Sequence, residues 1–105
     1  MKNNTDPTTI SEYQKLINDL VIERGYDKET ISEVFTLLVE EVGELAKAIR
    51  KNNGQKIGTH SKDHNVEEEL ADVFWLLIDL SNRLGVNLAK AFTDKEKINQ
   101  SRTYK

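Results

Sequence analysis

Apolar residues recur along most of this chain at the three- and four-residue spacings of amphipathic helices, and no stretch alternates as a strand does. The first stripe predicts a helix from about Ser11 to Arg24. Thr9 and Glu12 form a capping-box pattern before it, and Gly25 ends it. The apolar positions of this helix are Ile10, Tyr13, Leu16, Ile17, Leu20 and Val21.

Two longer stripes predict the second and third helices. The second is expected from about Ile31 to Lys51, where Thr30 and Glu33 supply another capping box. The third is expected from Asn65, its capping residue, to about Leu84, ahead of a glycine. These are the longest and most apolar helices of the chain.

A fourth helix is expected after Asn87, with Leu88, Ala91, Phe92, Lys95 and Ile98 along it. The remaining segments are interpreted as a loose leader (1–8), a loop with two glycines (52–64) and a tail without clear structure (101–105). A chain of 105 residues suffices for one hydrophobic core. The sequence therefore predicts a single all-α domain of four helices over residues 1–105.

Acidic residues interrupt the apolar faces of the second and third helices. Because a helix advances about 100° per residue, Glu41 lies at the centre of one apolar face and Glu44 about 60° from it. Glu69 and Asp72 repeat this arrangement in the third helix. The apolar residues within roughly 40° of these centres are Val34, Leu37, Leu45 and Ala48 around Glu41, and Val73, Leu76 and Leu80 around Glu69.

If the two faces meet, four carboxylates converge in a partly dry site. Like charges at short range repel, so these groups stay ionised only with cations among them. Oxygen ligands favour hard ions such as Mg²⁺ or Mn²⁺. The sequence therefore predicts a divalent metal site between the second and third helices.

The alternative is that the glutamates form solvated helix faces or first-turn charges favoured by the helix dipole. That interpretation suits Glu67, which lies away from the apolar stripe, and it can suit Glu68. It does not suit Glu41, at the centre of an apolar face. The same arrangement at the same i,i+3 spacing in two helices favours the metal site.

Composition and charge limit the classes of function. The chain has no cysteine, which excludes disulfides and thiolate metal sites. No apolar run approaches the roughly 20 residues that span a bilayer, and the N-terminus has no signal-peptide pattern, so a cytoplasmic protein without membrane contact is expected. The net charge of −3 argues against binding to a nucleic acid polymer.

Basic residues are nevertheless concentrated in residues 50–64 and 87–105, on either side of an acidic centre. This distribution suits a phosphate-bearing ligand joined to the carboxylates by metal, although solvated lysines explain part of it. Lys56 and Lys62, in the 52–64 loop, are weaker candidates for phosphate contact than residues of the 87–105 segment. The loop also holds His60 and His64, for which exposed surface histidines are favoured over metal ligands.

The two acidic motifs carry a resemblance to a known family. EEVGEL at 40–45 and EELADV at 68–73 resemble the EExxE…ExxD pattern of the MazG-like all-α nucleoside triphosphate pyrophosphohydrolases. Twenty-four residues separate Glu44 from Glu69, within the spacing that the family tolerates. The similarity covers roughly residues 10–102 and is fairly specific when both motifs, helix order and spacing are taken together.

The resemblance implies a helical bundle completed by a second subunit, in a homodimer or homotetramer. It also implies hydrolysis of (deoxy)nucleoside triphosphates to the monophosphate and pyrophosphate, with Mg²⁺ as cofactor and Mn²⁺ as a substitute, in house-cleaning or nucleotide-pool control. The residues it assigns to metal are Glu41, Glu44, Glu69 and Asp72, and those it assigns to substrate are Lys97, Asn99 and Arg102. Glu40 lies about 100° from Glu41, at the edge of the apolar face, and either orients or deprotonates the attacking water or is a solvated neighbour of the site.

Further residues of the third helix have two interpretations each. Phe74, Trp75 and Ile78 lie off the carboxylate face, which predicts burial against a second subunit; for Trp75, interface or core packing is favoured over the alternative of stacking on a nucleobase. Asp79 and Asn82 are either contacts for sugar or base, or polar residues at a helix edge.

Two other functional classes are alternatives to the hydrolase. A four-helix carboxylate protein with two redox metal ions usually carries Glu-x-x-His on its helices, and neither acidic motif contains histidine. A non-catalytic helical regulatory or partner-binding module is the main alternative, in which the acidic faces serve assembly.

Overall fold

Four α-helices and their short connections make up the part of the chain, residues 6–52 and 65–103, that the computed structural model describes. They are α1 (Ile10–Glu23), α2 (Ile31–Asn52), α3 (Val66–Arg83) and α4 (Leu88–Thr103). The predicted all-α architecture is confirmed, and α1 to α3 begin and end within one residue of the predicted bounds, apart from capping residues. The loop candidates Lys56, Lys62, His60 and His64 lie outside the described residues.

The start of each helix is fixed by the predicted side chain. Thr9 accepts from the Glu12 backbone N–H, and the Glu12 carboxylate accepts from Thr9 N–H, which completes the capping box of α1. Thr30 and Glu33 make the same reciprocal pair at α2. At α3 and α4 an asparagine side chain accepts from the backbone three residues later.

The ends of α1 and α3 share one geometry. Gly25 and Gly85 have φ angles of 78° and 70°, in the left-handed region that favours glycine. After α1, Tyr26 N–H donates to Val21 O at 2.9 Å, and the equivalent bond after α3 runs from Val86 to Ser81 at 2.9 Å. These are Schellman turns, and the first one directs the residues after Gly25 back along the bundle.

Helix α3 is the centre of the bundle, because α2 packs along one side and α1 along another. Ile78 is fully buried against Ile17 and Val21 of α1. Phe74 also packs on this cluster, and its ring meets Tyr13 edge-on with centroids 5.2 Å apart. The prediction that Ile78 marks a subunit interface is therefore wrong. Helix α1 of the same chain covers it.

Helix α4 packs mainly on α1 and continues to Thr103. Residues 101–103, which the sequence assigned to an unstructured tail, are therefore helical. Among the described residues, no helix is both long and apolar enough to cross a bilayer.

A second apolar stripe on α2 is exposed. It lies about a third of a turn around the helix from Glu41, at alternating four- and three-residue spacings. The stripe consists of Phe35, Val39, Val42, Ala46 and Ile49. Phe35 and Val39 are each 54% exposed, which is unusual for neighbouring large apolar side chains on one helix face.

Candidate metal centre

Three carboxylates from two helices meet where α2 packs on α3. Glu41, Glu69 and Asp72 each offer an oxygen, and these three oxygens lie within 4.8 Å of one another. Val34 and Ala48, seven residues before and after Glu41, are both buried, so Glu41 lies midway along the buried face of α2. Glu69 is in the first turn of α3, where the helix dipole favours negative charge.

The three acids differ in their exposure to solvent. Glu41 and Glu69 are half-buried, and Oε1 of Glu69 is inaccessible to solvent, whereas Asp72 is exposed. Burial raises the pKa of Glu41 most, and hydrogen bonding to the Glu69 carboxyl raises it further. The negative charges of Asp72, Glu69 and Glu44 act in the same direction. The carboxylates therefore disfavour the ionised form of Glu41, as expected for like charges at short range.

Glu44, the fourth predicted ligand, lies beside this group but outside it. Its charge acts on the pKa of Glu41, and its Oε2 is 3.8 Å from Lys47 Nζ. The structure therefore brings together three of the four predicted ligands and places the fourth one helical turn away, next to a lysine.

The chemistry of the group fits a hard divalent cation. All its donors are carboxylate oxygens, and one of them faces solvent, which leaves an open side for water or a ligand. An ion with bonds of about 2.1 Å joins oxygens up to about 4.2 Å apart, so only a small inward rotation of the side chains would be needed.

A pocket of about 310 Å³ opens beside Glu41 and Asp72. Its other walls come from α3 and from the end of α1, namely Trp75, Leu76, Arg24 and Tyr26. An arginine and two aromatic residues therefore line the same pocket as the carboxylates. Sequence reasoning missed Arg24 and Tyr26, although their position on either side of the turn glycine Gly25 was a usable signal.

Trp75 lies between the core and the carboxylate pocket. The side chain is half-buried and packs on the Ile17, Val21 and Ile78 cluster, as expected for a core residue. It also lines the carboxylate pocket, where it is accessible to a ligand.

The other candidates lie elsewhere in the single chain. Glu40 is exposed and lines a separate surface depression with Glu33 and Thr36. Lys97, Asn99 and Arg102 lie on the second half of α4 and do not line the carboxylate pocket. These placements leave their proposed roles to be tested by substitution.

Asp79 and Asn82 have structural partners instead of the predicted ligand contacts. Asp79 is 3% exposed and accepts from Arg83 Nε at 2.9 Å. Asn82 and Gln14 are joined by two hydrogen bonds between α3 and α1, at 2.9 and 2.8 Å. The sequence placed both residues at a helix edge but not at a buried contact, because it did not show where α1 docks.

Comparisons with known proteins agree with this architecture. The MazG nucleotide pyrophosphohydrolase domain matches residues 29–103. Two crystal structures of iMazG from Vibrio DAT 722 each align with a TM-score of 0.67. Ntag-iMazG is 30% identical, covering 93% of this chain and 100% of that chain. Ctag-iMazG is 34% identical, covering 89% of this chain and 99% of that chain.

A curated relative matches a shorter part. The uncharacterised protein YpjD of Bacillus subtilis (strain 168) is 38% identical over 55 residues, which is 51% of this chain and 50% of that protein. The match thus spans about half the length of this relative. Because the family match takes in both carboxylate-bearing helices, and the solved structures share the fold over most of the chain, this protein belongs to the MazG nucleotide pyrophosphohydrolase domain family.

Proposed function

We propose that this protein hydrolyses (deoxy)nucleoside triphosphates to the monophosphate and pyrophosphate with Mg²⁺ as cofactor, Mn²⁺ being a substitute. Such a reaction would serve house-cleaning or control of nucleotide pools. The observation that carries the proposal is the carboxylate group of Glu41, Glu69 and Asp72 at the edge of a pocket that also holds a guanidinium. Membership of the family supports the same reaction class.

In this proposal Glu41, Glu69 and Asp72 hold the metal directly. Glu44 would join them by turning away from Lys47. The ion pair between Glu44 and Lys47 is weak, because both groups are partly exposed. When bound, Mg²⁺ supplies positive charge that offsets the triphosphate and polarises the attacked phosphorus. Ionised carboxylates are needed for this, so metal binding would compete with protonation of Glu41, whose pKa is raised.

The chain's own residues then position the substrate. Arg24 donates to phosphate oxygens, for which the planar guanidinium is well suited. Tyr26 and Trp75 offer aromatic surface to a base at the other side of the pocket. Glu40 is proposed to orient the attacking water; its exposed position makes a solvated role the alternative.

Self-association completes the proposal. The exposed stripe on α2 and an apolar groove of about 510 Å³ between α3 and α4 suit a second copy of the chain, as a homodimer or homotetramer. Lys97, Asn99 and Arg102 would then act at the pocket of a neighbouring copy, because within one chain they lie outside it. No nucleic acid polymer and no membrane take part in this proposal.

Pyrophosphate release from a panel of nucleotides in the presence of Mg²⁺ tests the reaction. Glu69→Gln should abolish turnover and weaken Mn²⁺ binding by more than the ~10–100-fold that loss of a supporting partner costs. Glu67→Gln is the matched control, since it removes one charge from the same helical turn but not from the carboxylate group.

Three outcomes would contradict the proposal. They are release of orthophosphate, absence of turnover with every nucleotide, and equal Mn²⁺ affinity in the two variants. Absence of turnover together with an intact partner-binding role would favour the non-catalytic module.

A further inference from the structure

Arg83, the last residue of α3, reaches across to the connection between α1 and α2. Its Nη2 donates to the backbone oxygen of Tyr26 at 2.8 Å, and its Nη1 donates to the backbone oxygen of Glu29. Its Nε donates to Asp79 Oδ1 at 2.9 Å. All three nitrogens of the guanidinium are therefore used, two of them on the connection.

The ion pair between Arg83 and Asp79 is shielded from solvent. Their side chains are only 12% and 4% exposed. Asp79 fixes the plane of the guanidinium from one edge, so the other two nitrogens point at fixed positions. A lysine at position 83 would keep the charge but not this planar arrangement of donors.

The connection that Arg83 holds forms one wall of the carboxylate pocket. Tyr26 is anchored through its backbone: its N–H donates to Val21 O, and its carbonyl accepts from Glu29 N–H at 3.1 Å as well as from Arg83. Tyr26 and Arg24 both line the pocket. Arg83 does not line the pocket itself and lies about three helical turns from Asp72, its nearest candidate metal ligand in the sequence.

One face of α3 carries residues of the metal site and also the arginine that holds the pocket wall. Residues at spacings of four, three and four lie on one side of a helix. On α3 these residues are Asp72, Leu76, Asp79 and Arg83. The face thus carries a metal-ligand candidate at its start, a pocket residue in the middle and the arginine that holds the opposite wall at its end.

We propose that Arg83, oriented by Asp79, is a positioning residue that sets the affinity of the pocket for a triphosphate by fixing the Tyr26–Glu29 turn as its wall. This inference rests on the proposed function for the identity of the ligand. We call Arg83 and Asp79, with their bonds to this turn, the clamp. The clamp should determine the affinity for substrate, whereas the carboxylates determine the affinity for metal.

The test uses Arg83→Lys and Asp79→Asn in the full chain, with Asp19→Asn as the matched control. Asp19 accepts from Lys15 at the same i,i+4 spacing, but both side chains are exposed on α1. We expect KM for the triphosphate to rise about tenfold in both clamp variants, the effect of losing one hydrogen bond to a charged group, with kcat changed less than about twofold. Mn²⁺ affinity should stay at the wild-type value in all three.

Binding without turnover gives a second readout. Trp75 is the only tryptophan and lines the pocket, so its fluorescence reports binding of a non-hydrolysable triphosphate analogue. Analogue affinity should fall about tenfold in Arg83→Lys and Asp79→Asn and be unchanged in Asp19→Asn. Hydrogen exchange of the amides at 26–29 should accelerate in the clamp variants only.

The outcomes separate the two proposals. If the wild type binds the analogue but hydrolyses no nucleotide, the proposed reaction fails. The ratio of the analogue affinities of wild type and Arg83→Lys then still decides the role of Arg83. A loss of thermal stability with unchanged KM and analogue affinity would overturn the positioning role, and so would a fall in kcat alone. A wild type that neither binds nor hydrolyses triphosphates overturns both.

Discussion

Carboxylate oxygens of Glu41 on α2 and Glu69 on α3 lie within 4.8 Å of each other across the helix interface. Burial, followed by hydrogen bonding to Glu69, raises the pKa of Glu41, so the ionised form of Glu41 is disfavoured when no metal is bound. A cation bound here would compete with the proton on Glu41. Metal affinity and pH are therefore linked through these two residues.

The first prediction concerns Glu41→Gln without metal. Because the folded-state pKa of Glu41 is raised, its charge destabilises the fold as pH rises above the unfolded value of about 4.3 and through the folded pKa. Removing the charge should therefore raise the melting temperature by a few degrees at pH 8 and very little at pH 4. Thermal melts in a chelator at the two pH values measure this.

The same melts with saturating Mg²⁺ or Mn²⁺ give the opposite order. A metal that binds only the folded state stabilises the wild type by mass action, and the variant lacks a ligand. Glu23→Gln, an exposed residue on α1, serves as the control. Equal melting temperatures for wild type and Glu41→Gln at pH 8 without metal would contradict the repulsion among the carboxylates.

The second prediction concerns Arg24 in the pocket. Arg24→Gln should raise KM for a triphosphate about tenfold, because a charge-assisted contact with phosphate is replaced by a neutral one. Lys28→Gln removes a positive charge from the same connection but not from the pocket lining, and should have little effect. Steady-state pyrophosphate release gives both values. Equal KM values in the two variants would show that Arg24 does not contact the phosphates.

Local signals made much of the fold predictable from the sequence. The caps of α1 and α2 depend on residues three apart, and the helical period placed Glu41, Glu69 and Asp72 on facing surfaces. Those relationships lie within one helix, or follow from packing two apolar faces together.

The rest depended on long-range contacts. The pocket wall at Arg24 and Tyr26 lies at the start of a connection whose backbone accepts from Arg83, more than fifty residues later. Likewise Ile78 is buried because α1 docks on α3, which no local pattern specifies. The sequence assigned that burial to a second subunit because periodicity shows which faces are apolar, not what covers them.

The third prediction concerns the capping box of α1. The Glu12 carboxylate accepts from Thr8 N–H at 2.9 Å, from the Thr8 hydroxyl and from Thr9 N–H, and these bonds lower its pKa, the Thr8 backbone bond most. A lowered folded-state pKa contributes stability above the unfolded pKa and loses it as pH falls through the folded value. Glu12→Gln should therefore melt below the wild type at pH 7, and the difference should disappear near pH 2.

Because this side chain is exposed, the effect is confined to a small change in melting temperature. Asp19→Asn provides the comparison on the same helix, since it removes an exposed carboxylate that takes no part in a cap. A gap between wild type and Glu12→Gln that stays constant from pH 7 to pH 2 would show that the charge of Glu12 does not strengthen the cap.

The last prediction tests the exposed stripe on α2. Val39 lies in the stripe between Phe35 and Val42 and is 54% exposed, so Val39→Lys places a charge in the proposed contact with a second copy without disturbing the packing within the chain. Burial of one such side chain at an interface contributes about 1.5–3 kcal/mol, so two symmetry-related lysines should dissociate the assembly at micromolar concentration. Light scattering after size-exclusion chromatography gives the mass, and Ile22→Lys, at a 58% exposed position on α1, is the control. If Val39→Lys has the wild-type mass, or if the wild type is a monomer, the stripe does not join copies of this chain. If Val39→Lys is a monomer and also loses turnover, residues of a neighbouring copy complete the pocket.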